Sequence, residues 1–386
     1  MLSVAYIIII IFLSYLIWLG SDSFERASSY LGRNMSPGVR GATINAIGSS
    51  MPELFTAIFF LSIAGDTEGF AGGFGTMIGS ALFNLLIVPS AVFLTLLYYS
   101  PNHSTLSTMR SRQSLWRDTV FLILAQGILF LVIRPQMDWW HGMILIGFYA
   151  LYLFILLKYR GKEKRTDDDV VDEDISANKP EGKPSRQYHL DIYNMVVGSG
   201  QVNTRKAWCV LLLSMVCMGG ACLALVHLCE LLGVLWNLPL LVIALIIAAS
   251  ATSLPDLFIS VRDAKKGNTT DALSNALGSN IFDICIALGL PILLYVLVND
   301  EGILHAFEKK QDWAFSILLR WVLIGLTIPA SLLLILPRVS LKIKSIGLFS
   351  LYILFLLFVI SYGAEFDILL EIMDKLLATD VSQRLV

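Results

Sequence analysis

Ten apolar runs dominate this chain and constrain its fold more than any other feature. About 20 helical residues are needed to cross a hydrocarbon layer of about 30 Å, and the runs are close to that length. Of 386 residues, 56% are hydrophobic and 15% charged, against about 25% charged in soluble domains. We therefore predict an all-α membrane protein whose main partner is the lipid bilayer, and we expect no nucleic-acid binding. The runs, numbered here as spans 1 to 10, cover about residues 3–20, 41–64, 75–99, 118–133, 140–157, 207–234, 238–261, 272–298, 314–336 and 345–363.

The positive charges between the spans predict how the chain is threaded. Each connection that follows an odd-numbered span contains three to ten Lys and Arg residues, and each that follows an even-numbered span contains at most two. Short cytoplasmic loops collect Lys and Arg. We therefore expect a multi-pass protein of a plasma membrane or bacterial inner membrane, with both termini outside.

One long hydrophilic segment divides the spans five and five. We expect a first unit over residues 1–158, a cytoplasmic loop over 159–205 and a second unit over 206–386. The acidic residues at 167–169 and 172–174 lack the spacing of an EF-hand loop, so we interpret them as a solvated run. No obligate protein partner is indicated.

Two motifs occur twice, in the same order. Ala46–Phe55 in span 2 (AIGSSMPELF) matches Ala249–Phe258 in span 7 (ASATSLPDLF), 203 residues later. Ile78–Asn84 in span 3 (IGSALFN) matches Leu277–Asp283 in span 8 (LGSNIFD), 199 residues later. Because five spans separate the copies, the two halves must have opposite orientations. We predict two inverted five-helix repeats, the arrangement that builds secondary transporters with a central binding site.

The repeated motifs place oxygen-bearing residues on one face of each helix. Helical spacing aligns Ser49 and Ser50 with Glu53 in span 2, and Thr252 and Ser253 with Asp256 in span 7. A proline inside each motif should release the carbonyl groups around Gly48 and Ala251. Oxygen ligands without His or Cys favour calcium, sodium or potassium over zinc or copper.

Three acidic residues lie in the interior of these apolar spans, away from the span ends. A carboxylate at the centre of a membrane costs at least about 2.5 kcal/mol to insert, so such residues are functional by default. Glu53, Asp256 and Asp283 each belong to a repeated motif. We therefore predict an intramembrane ion site that requires no cofactor.

The four motif copies resemble the two α-repeats of the cation/calcium exchanger superfamily, which includes the sodium/calcium exchangers. The resemblance extends over the ten-helix plan and the central loop. It implies a secondary transporter, not an enzyme, that exports calcium against sodium by alternating access. Glu53 and Asp256 would be carboxylates shared by calcium and sodium, with the carbonyl groups of Ser49 and Thr252 completing the calcium shell.

The resemblance also implies positions for sodium or potassium. Ala46, Ser50 and Ser279 would line one sodium site, and Ala249, Ser253 and Ser80 the other. Asn84 and Asp283 would complete the middle of the cluster. The aspartates at 256 and 283 resemble the potassium-dependent branch, so co-transport of potassium stays open.

Two other functions compete with sodium-driven exchange. The same scaffold could exchange calcium for protons, because buried carboxylates also relay protons. The doubled set of hydroxyl groups, which suits sodium, argues against this alternative. Paired membrane aspartates could instead form an aspartyl protease, but the repeat pairs Glu53 with Asp256, and that pairing does not fit an aspartate dyad.

Overall fold

The chain is almost entirely helical in the part that the structure describes. This computed structural model describes residues 2–31, 46–99, 109–160, 191–198, 202–267, 269–299, 302–307, 310–337 and 339–363. The acidic runs of the central loop and the first five residues of predicted span 2 lie outside these ranges. Each of the ten predicted spans falls on helix. Long apolar helices are expected here because a helix satisfies its own backbone hydrogen bonds in lipid.

Nine of the described helical segments are long and apolar enough to cross a membrane, and span 2 is a shorter apolar helix. The prediction of a multi-pass, helical membrane protein is confirmed at this level. A short additional helix, Ile192–Val197, lies in the segment predicted as a loop. The helices are Leu2–Leu31 (span 1), Ala46–Ile63 (span 2), Gly65–Leu82 and Val88–Tyr99 (span 3), Met109–Val132 (span 4), Trp139–Arg160 (span 5), Thr204–Trp236 (span 6), Leu240–Ile243, Ala249–Thr252 and Leu254–Lys265 (span 7), Thr269–Phe282 and Gly289–Val298 (span 8), Lys310–Ile335 (span 9) and Leu341–Gly363 (span 10).

In the described part of the chain, three spans contain a turn of π-helix. These turns are Phe83–Ile87 in span 3, Ala244–Ala248 in span 7 and Asp283–Ala287 in span 8. Such turns insert one extra residue into the helical repeat and are frequent at functional sites. The first and third include Asn84 and Asp283, which occupy matching places in the repeated motif.

The two motif prolines have different effects on their helices. Span 7 is interrupted at Ser253, and Pro255 occupies the start of the next helix, where a missing N–H costs little. Span 2 continues as one helix through Pro52. The carbonyl of Gly48, four residues before that proline, accepts a hydrogen bond from the Ser21 hydroxyl at 3.3 Å. Span 1 therefore binds a carbonyl that the sequence predicted to be free.

Span 1 extends well beyond its predicted end at residue 20, and its last turns carry charge. Arg26 pairs with Asp22 and, at 2.8 Å, with Asp191 of the central segment. Arg262 at the end of span 7 pairs with Asp22 at 2.7 Å and with Glu25 at 2.5 Å. Paired charges make a longer helix possible here, although the residues are not apolar.

Two short strands depart from the prediction of an all-α fold. Gln136–Met137 follows span 4, and Leu304–His305 follows span 8. They pair antiparallel, with Gln136 opposite His305. The connection after span 4 therefore lies against the connection after span 8.

The spans pack into two groups. Spans 2 to 5 and 7 to 10 share one buried apolar cluster. Spans 1 and 6 share another with parts of spans 2 and 7. Spans 2, 3, 7 and 8, which carry the repeated motifs, lie at the centre of the first group.

Candidate ion-binding site

A buried polar cluster lies where spans 2, 3, 7 and 8 meet. The carboxyl-bearing residues Glu53, Asp256 and Asp283 are at most 1% exposed. Asn84 is fully buried. Six hydroxyl residues of the predicted site are also fully buried: Ser49, Ser50, Ser80, Thr252, Ser253 and Ser279.

The Glu53 carboxylate is held by hydroxyl groups from the neighbouring spans. Ser80 and Ser253 each donate to Glu53 Oε1 at 3.2 Å. The Ser80 and Ser253 hydroxyls are 2.6 Å apart, and Thr252 Oγ1 is 3.4 Å from Ser80. Spans 2, 3 and 7 therefore converge on one carboxylate oxygen, and Glu53 Oε2 has no hydrogen-bond partner among the described residues.

The Asp256 carboxylate has a similar shell from the other half of the motifs. Ser279 donates to Asp256 Oδ1 at 2.9 Å, and Asn84 Nδ2 donates to Asp256 Oδ2 at 2.8 Å. The Ser49 hydroxyl lies 3.4 Å from that of Ser279. Asp256 therefore joins spans 2, 3, 7 and 8 through polar side chains.

Several oxygen atoms in this cluster are buried without a protein partner. Burying a polar atom that makes no hydrogen bond costs free energy, so each needs a reason. A set of unpaired oxygens is the arrangement that a hard cation uses as ligands. Among the described residues these atoms are Ser50 Oγ, Glu53 Oε2, Asn84 Oδ1 and both carboxylate oxygens of Asp283.

The three carboxylates share a neighbourhood without forming one compact cluster. Asp283 is close enough to Glu53 and Asp256 for their charges to interact, and Ser50 lies beside it. In the part of the chain that is described, no three acidic, His or Cys side chains stand close enough to hold a single metal ion. Any one ion would therefore draw most of its ligands from hydroxyl, amide and carbonyl oxygens.

The structure joins one of the two predicted sodium triads directly. The Ser80 and Ser253 hydroxyls are 2.6 Å apart and share Glu53 Oε1, and Ala249 lies against Gly79, the neighbour of Ser80. In the other triad, Ser279 bonds to Asp256, and Ser50 Oγ has no described partner. Ala46 begins the helix of span 2, but its side chain lies outside the described residues.

A glycine in span 3 sets how closely the two halves approach. A Cβ atom at Gly79 would lie 2.0 Å from the carbonyl oxygen of Leu245 and 2.5 Å from the Cβ of Ala249. Real Cβ atoms do not come so near to other atoms. Only glycine lets span 3 touch the backbone of span 7, and this contact brings Ser80 to Ser253.

Sequence reasoning missed several features of the site. The π-helical turns leave no clear mark on hydrophobic periodicity. The bond from Ser21 to the Gly48 carbonyl joins span 1 to the motif, but span 1 carries no copy of it. The sequence signal that could have been followed is the hydroxyl residue Ser21, which comes directly after the predicted end of span 1. It is fully buried in the structure.

Comparisons with known proteins agree with this architecture. The chain is 29% identical over 315 residues to the putative antiporter CaxA of Alkalimonas amylolytica, covering 80% of this chain and 85% of that protein. It is 27% identical over 364 residues to human sodium/potassium/calcium exchanger 5, covering 75% of this chain and 70% of that protein.

Solved structures show a similar fold. The crystal structure of the H+/Ca2+ exchanger CAX aligns over 95% of this chain and 82% of its own, with a TM-score of 0.64 and 15% identity. The sodium-calcium exchanger NCX_Mj aligns over 92% of this chain and 97% of its own, with a TM-score of 0.52 and 22% identity. The model of the sodium/calcium exchanger protein family matches residues 5–158 and 206–361, and the chain therefore belongs to this family of secondary transporters.

Proposed function

We propose that this protein exchanges calcium for sodium across its membrane by alternating access, with calcium export as its direction. The observation that carries the proposal is the buried, oxygen-rich cluster of spans 2, 3, 7 and 8, in which oxygens of Glu53, Asn84 and Asp283 lack partners among the described residues. A transported cation would supply the missing interaction. The ion gradient would supply the energy.

Glu53 and Asp256 are the proposed calcium carboxylates. Together they carry two negative charges, which match one divalent cation, and charge matching is essential for an ion in a poorly polarisable interior. The backbone carbonyls of Ser49 and Thr252 are proposed to complete the shell. Calcium takes six to eight oxygen ligands in flexible geometry, so carbonyls and hydroxyls can fill it.

Hydroxyl groups on either side of the carboxylates are the proposed sodium ligands. Sodium carries a single charge, so neutral oxygens and a shared carboxylate suffice. When sodium replaces calcium, the hydroxyls that now donate to Glu53 and Asp256 can turn their oxygens toward the ion. The proposed sodium or potassium residues are Ala46, Ser50, Ser80, Asn84, Ala249, Ser253, Ser279 and Asp283.

Mirrored contacts support an inverted repeat of the two halves. The pair Ser49 and Ser279 and its repeat equivalent, Thr252 and Ser80, both have hydroxyl distances of 3.4 Å. These two pairs exchange places when the halves are swapped. Such equivalence is what two states with opposite openings require.

The contacts at the span ends support the proposed threading. Asp22 at the end of span 1 pairs with Arg262 at the end of span 7, and Arg26 pairs with Asp191 after span 5. The strands that follow spans 4 and 8 pair with each other. Connections after odd spans thus meet one another, as do those after even spans. We propose that the odd set is cytoplasmic and that both termini are outside.

Calcium/proton exchange is the second candidate. The three buried carboxylates could release protons as calcium binds, and the H+/Ca2+ exchanger CAX has a similar fold. The hydroxyl shells around Glu53 and Asp256 favour sodium, because a proton needs no such coordination.

The deciding experiment is radioactive calcium uptake into proteoliposomes. One set is loaded with sodium and diluted into sodium-free buffer at constant pH, and a second has a pH gradient without sodium. We expect uptake driven by sodium alone, unchanged by a protonophore. Uptake that follows only the pH gradient would replace the proposal with proton exchange.

A further inference from the structure

A tyrosine of span 5 lies beside the Asp283 end of the ion cluster. Tyr149 is 5% exposed, and its hydroxyl has no hydrogen-bond partner among the described residues. Its ring contacts Phe282 edge-on, with centroids 5.5 Å apart, and Phe282 is next to Asp283 in the chain. Two titratable groups of span 8, Cys285 and Asp283, are near enough to interact electrostatically with the tyrosine.

The second half of the chain contains the same arrangement. Tyr352 in span 10 lies 203 residues after Tyr149, the offset of the first repeated motif. Its ring contacts Phe83 edge-on, with centroids 6.0 Å apart, and Phe83 is next to Asn84. Each half therefore places a tyrosine against the phenylalanine that precedes Asn84 or Asp283.

A second mirrored contact supports this alignment of spans 5 and 10. A Cβ at Gly142 of span 5 would lie 2.5 Å from the Gly289 carbonyl oxygen in span 8. The matching residues are Ser345 and Ser90, whose hydroxyls are 3.0 Å apart. The tyrosines are therefore repeat equivalents in packing as well as in sequence.

The surroundings of the two tyrosine hydroxyls differ. Ser250 of span 7 lies near the Tyr352 hydroxyl. The residue at the matching place in span 2 is Ile47, which packs against the same apolar cluster as Tyr149 and offers no polar atom. Tyr149 thus lacks the neighbouring hydroxyl group that its counterpart has, in the half where the neighbouring motif residue is a carboxylate, Asp283.

Both Asp283 oxygens and the Tyr149 hydroxyl are buried and unpaired on adjacent helices. Unpaired buried oxygens are costly unless an ion or another polar group joins them. We propose that Tyr149 contributes its hydroxyl oxygen to the monovalent-cation position at Asp283, so that span 5 helps to determine which monovalent cation is held there. This assignment rests on the proposed exchange function and extends its site beyond the motif spans.

The test is Tyr149→Phe, which removes one oxygen and keeps the ring against Phe282. Tyr152→Phe is the matched control, because it makes the same change three residues away. The Tyr152 hydroxyl donates to Asp118 at 3.5 Å, and the matching residue in span 10 is already phenylalanine, Phe355. Calcium uptake is measured as a function of the sodium concentration, with and without potassium, and as a function of the calcium concentration.

We expect Tyr149→Phe to raise the half-saturating concentration of sodium or potassium by about threefold to tenfold, the effect of losing one buried polar interaction. The calcium half-saturation and the maximal rate should stay unchanged, and Tyr152→Phe should match the wild type. A purely structural role would lower the maximal rate instead. Wild-type cation dependence in Tyr149→Phe, or equal effects in both variants, would overturn the proposal.

A second variant tests the same idea without removing the tyrosine oxygen. Ile47→Ser places a hydroxyl where Ser250 stands in the other half, and it should draw the Tyr149 hydroxyl away from Asp283. We expect the same rise in monovalent-cation half-saturation, and wild-type behaviour would count against the proposal. Absence of any sodium-dependent uptake by the wild-type protein would instead refute the exchange function itself.

Discussion

The close contact of spans 3 and 7 at Gly79 predicts that Gly79→Ala separates these two helices. In Gly79→Ala the new Cβ would stand 2.0 Å from the Leu245 carbonyl oxygen, whereas ordinary contact begins near 3.4 Å. The two backbones must therefore separate by about 1.4 Å. If the helices move as rigid bodies, the 2.6 Å distance between Ser80 and Ser253 grows to about 4.0 Å, beyond hydrogen-bonding range.

This displacement should affect transport more than folding. Overpacking of this kind costs about 1–3 kcal/mol of stability, which a large helical bundle can tolerate. A misplacement of about 1 Å at a reacting centre can cost about a hundredfold in rate. We expect sodium-driven calcium uptake by Gly79→Ala to fall at least about tenfold, since the hydroxyls that hold Glu53 would no longer converge.

The assay is initial-rate calcium uptake into sodium-loaded proteoliposomes, normalised to the amount of monodisperse protein inserted. Gly127→Ala in span 4 is the control, because among the described residues no atom beyond its chain neighbours and the backbone of its own helix lies within 4 Å of the added Cβ. That variant should keep the wild-type rate. A wild-type rate in Gly79→Ala would refute the view that close contact of spans 3 and 7 sets the geometry of the ion site.

Three further predictions use the same assay or simple labelling. Glu53→Gln should abolish calcium uptake because it removes one of the two charges proposed to offset calcium. Glu68→Gln, the same change at an exposed carboxyl group, should leave uptake unchanged. Normal uptake by Glu53→Gln would contradict the assignment of Glu53 to the ion site. Asp283→Asn should retain calcium transport but lose its stimulation by potassium. Calcium uptake by the wild-type protein that does not change with potassium would exclude the potassium-dependent branch. With the native cysteines replaced by alanine, a cysteine at Ser176 should resist an impermeant thiol reagent in intact cells and one at Ser382 should react. Both positions lie outside the described residues, and the opposite labelling pattern would overturn the predicted threading.

The repeated motifs allowed much of the candidate site to be predicted from sequence. Helical spacing placed Ser49, Glu53 and their counterparts on one face, and the structure brings these faces together. These polar faces meet because only a buried, shared location offsets the cost of polar residues in membrane helices. The prediction of a multi-pass helical fold succeeded for a related reason, since backbone groups in lipid leave few alternatives.

Other features depend on packing between distant segments and could not be predicted. A proline alone does not tell whether its helix will break. Span 7 is interrupted at Ser253, but span 2 continues past Pro52 while Ser21 binds the carbonyl of Gly48. Likewise, the charged end of span 1 becomes helical because Arg262, more than 230 residues away, pairs with Asp22 and Glu25.

Some contacts in one half of the chain have an equivalent in the other half, which we call mirrored contacts, and other features do not. This difference suggests how one scaffold can bind different ions. Contacts that exchange places between the halves, such as Ser49 with Ser279 and Ser80 with Thr252, can form equivalently in states that open to opposite sides. The unmirrored features lie together: Asp283 stands at the place of Asn84 in the other half, and Ile47 stands at the place of Ser250. A change at such a position adds or removes charge and oxygen ligands without disturbing the repeat. We infer that the symmetric contacts support alternating access and that the asymmetric residues around Asp283 determine which monovalent ion accompanies calcium exchange.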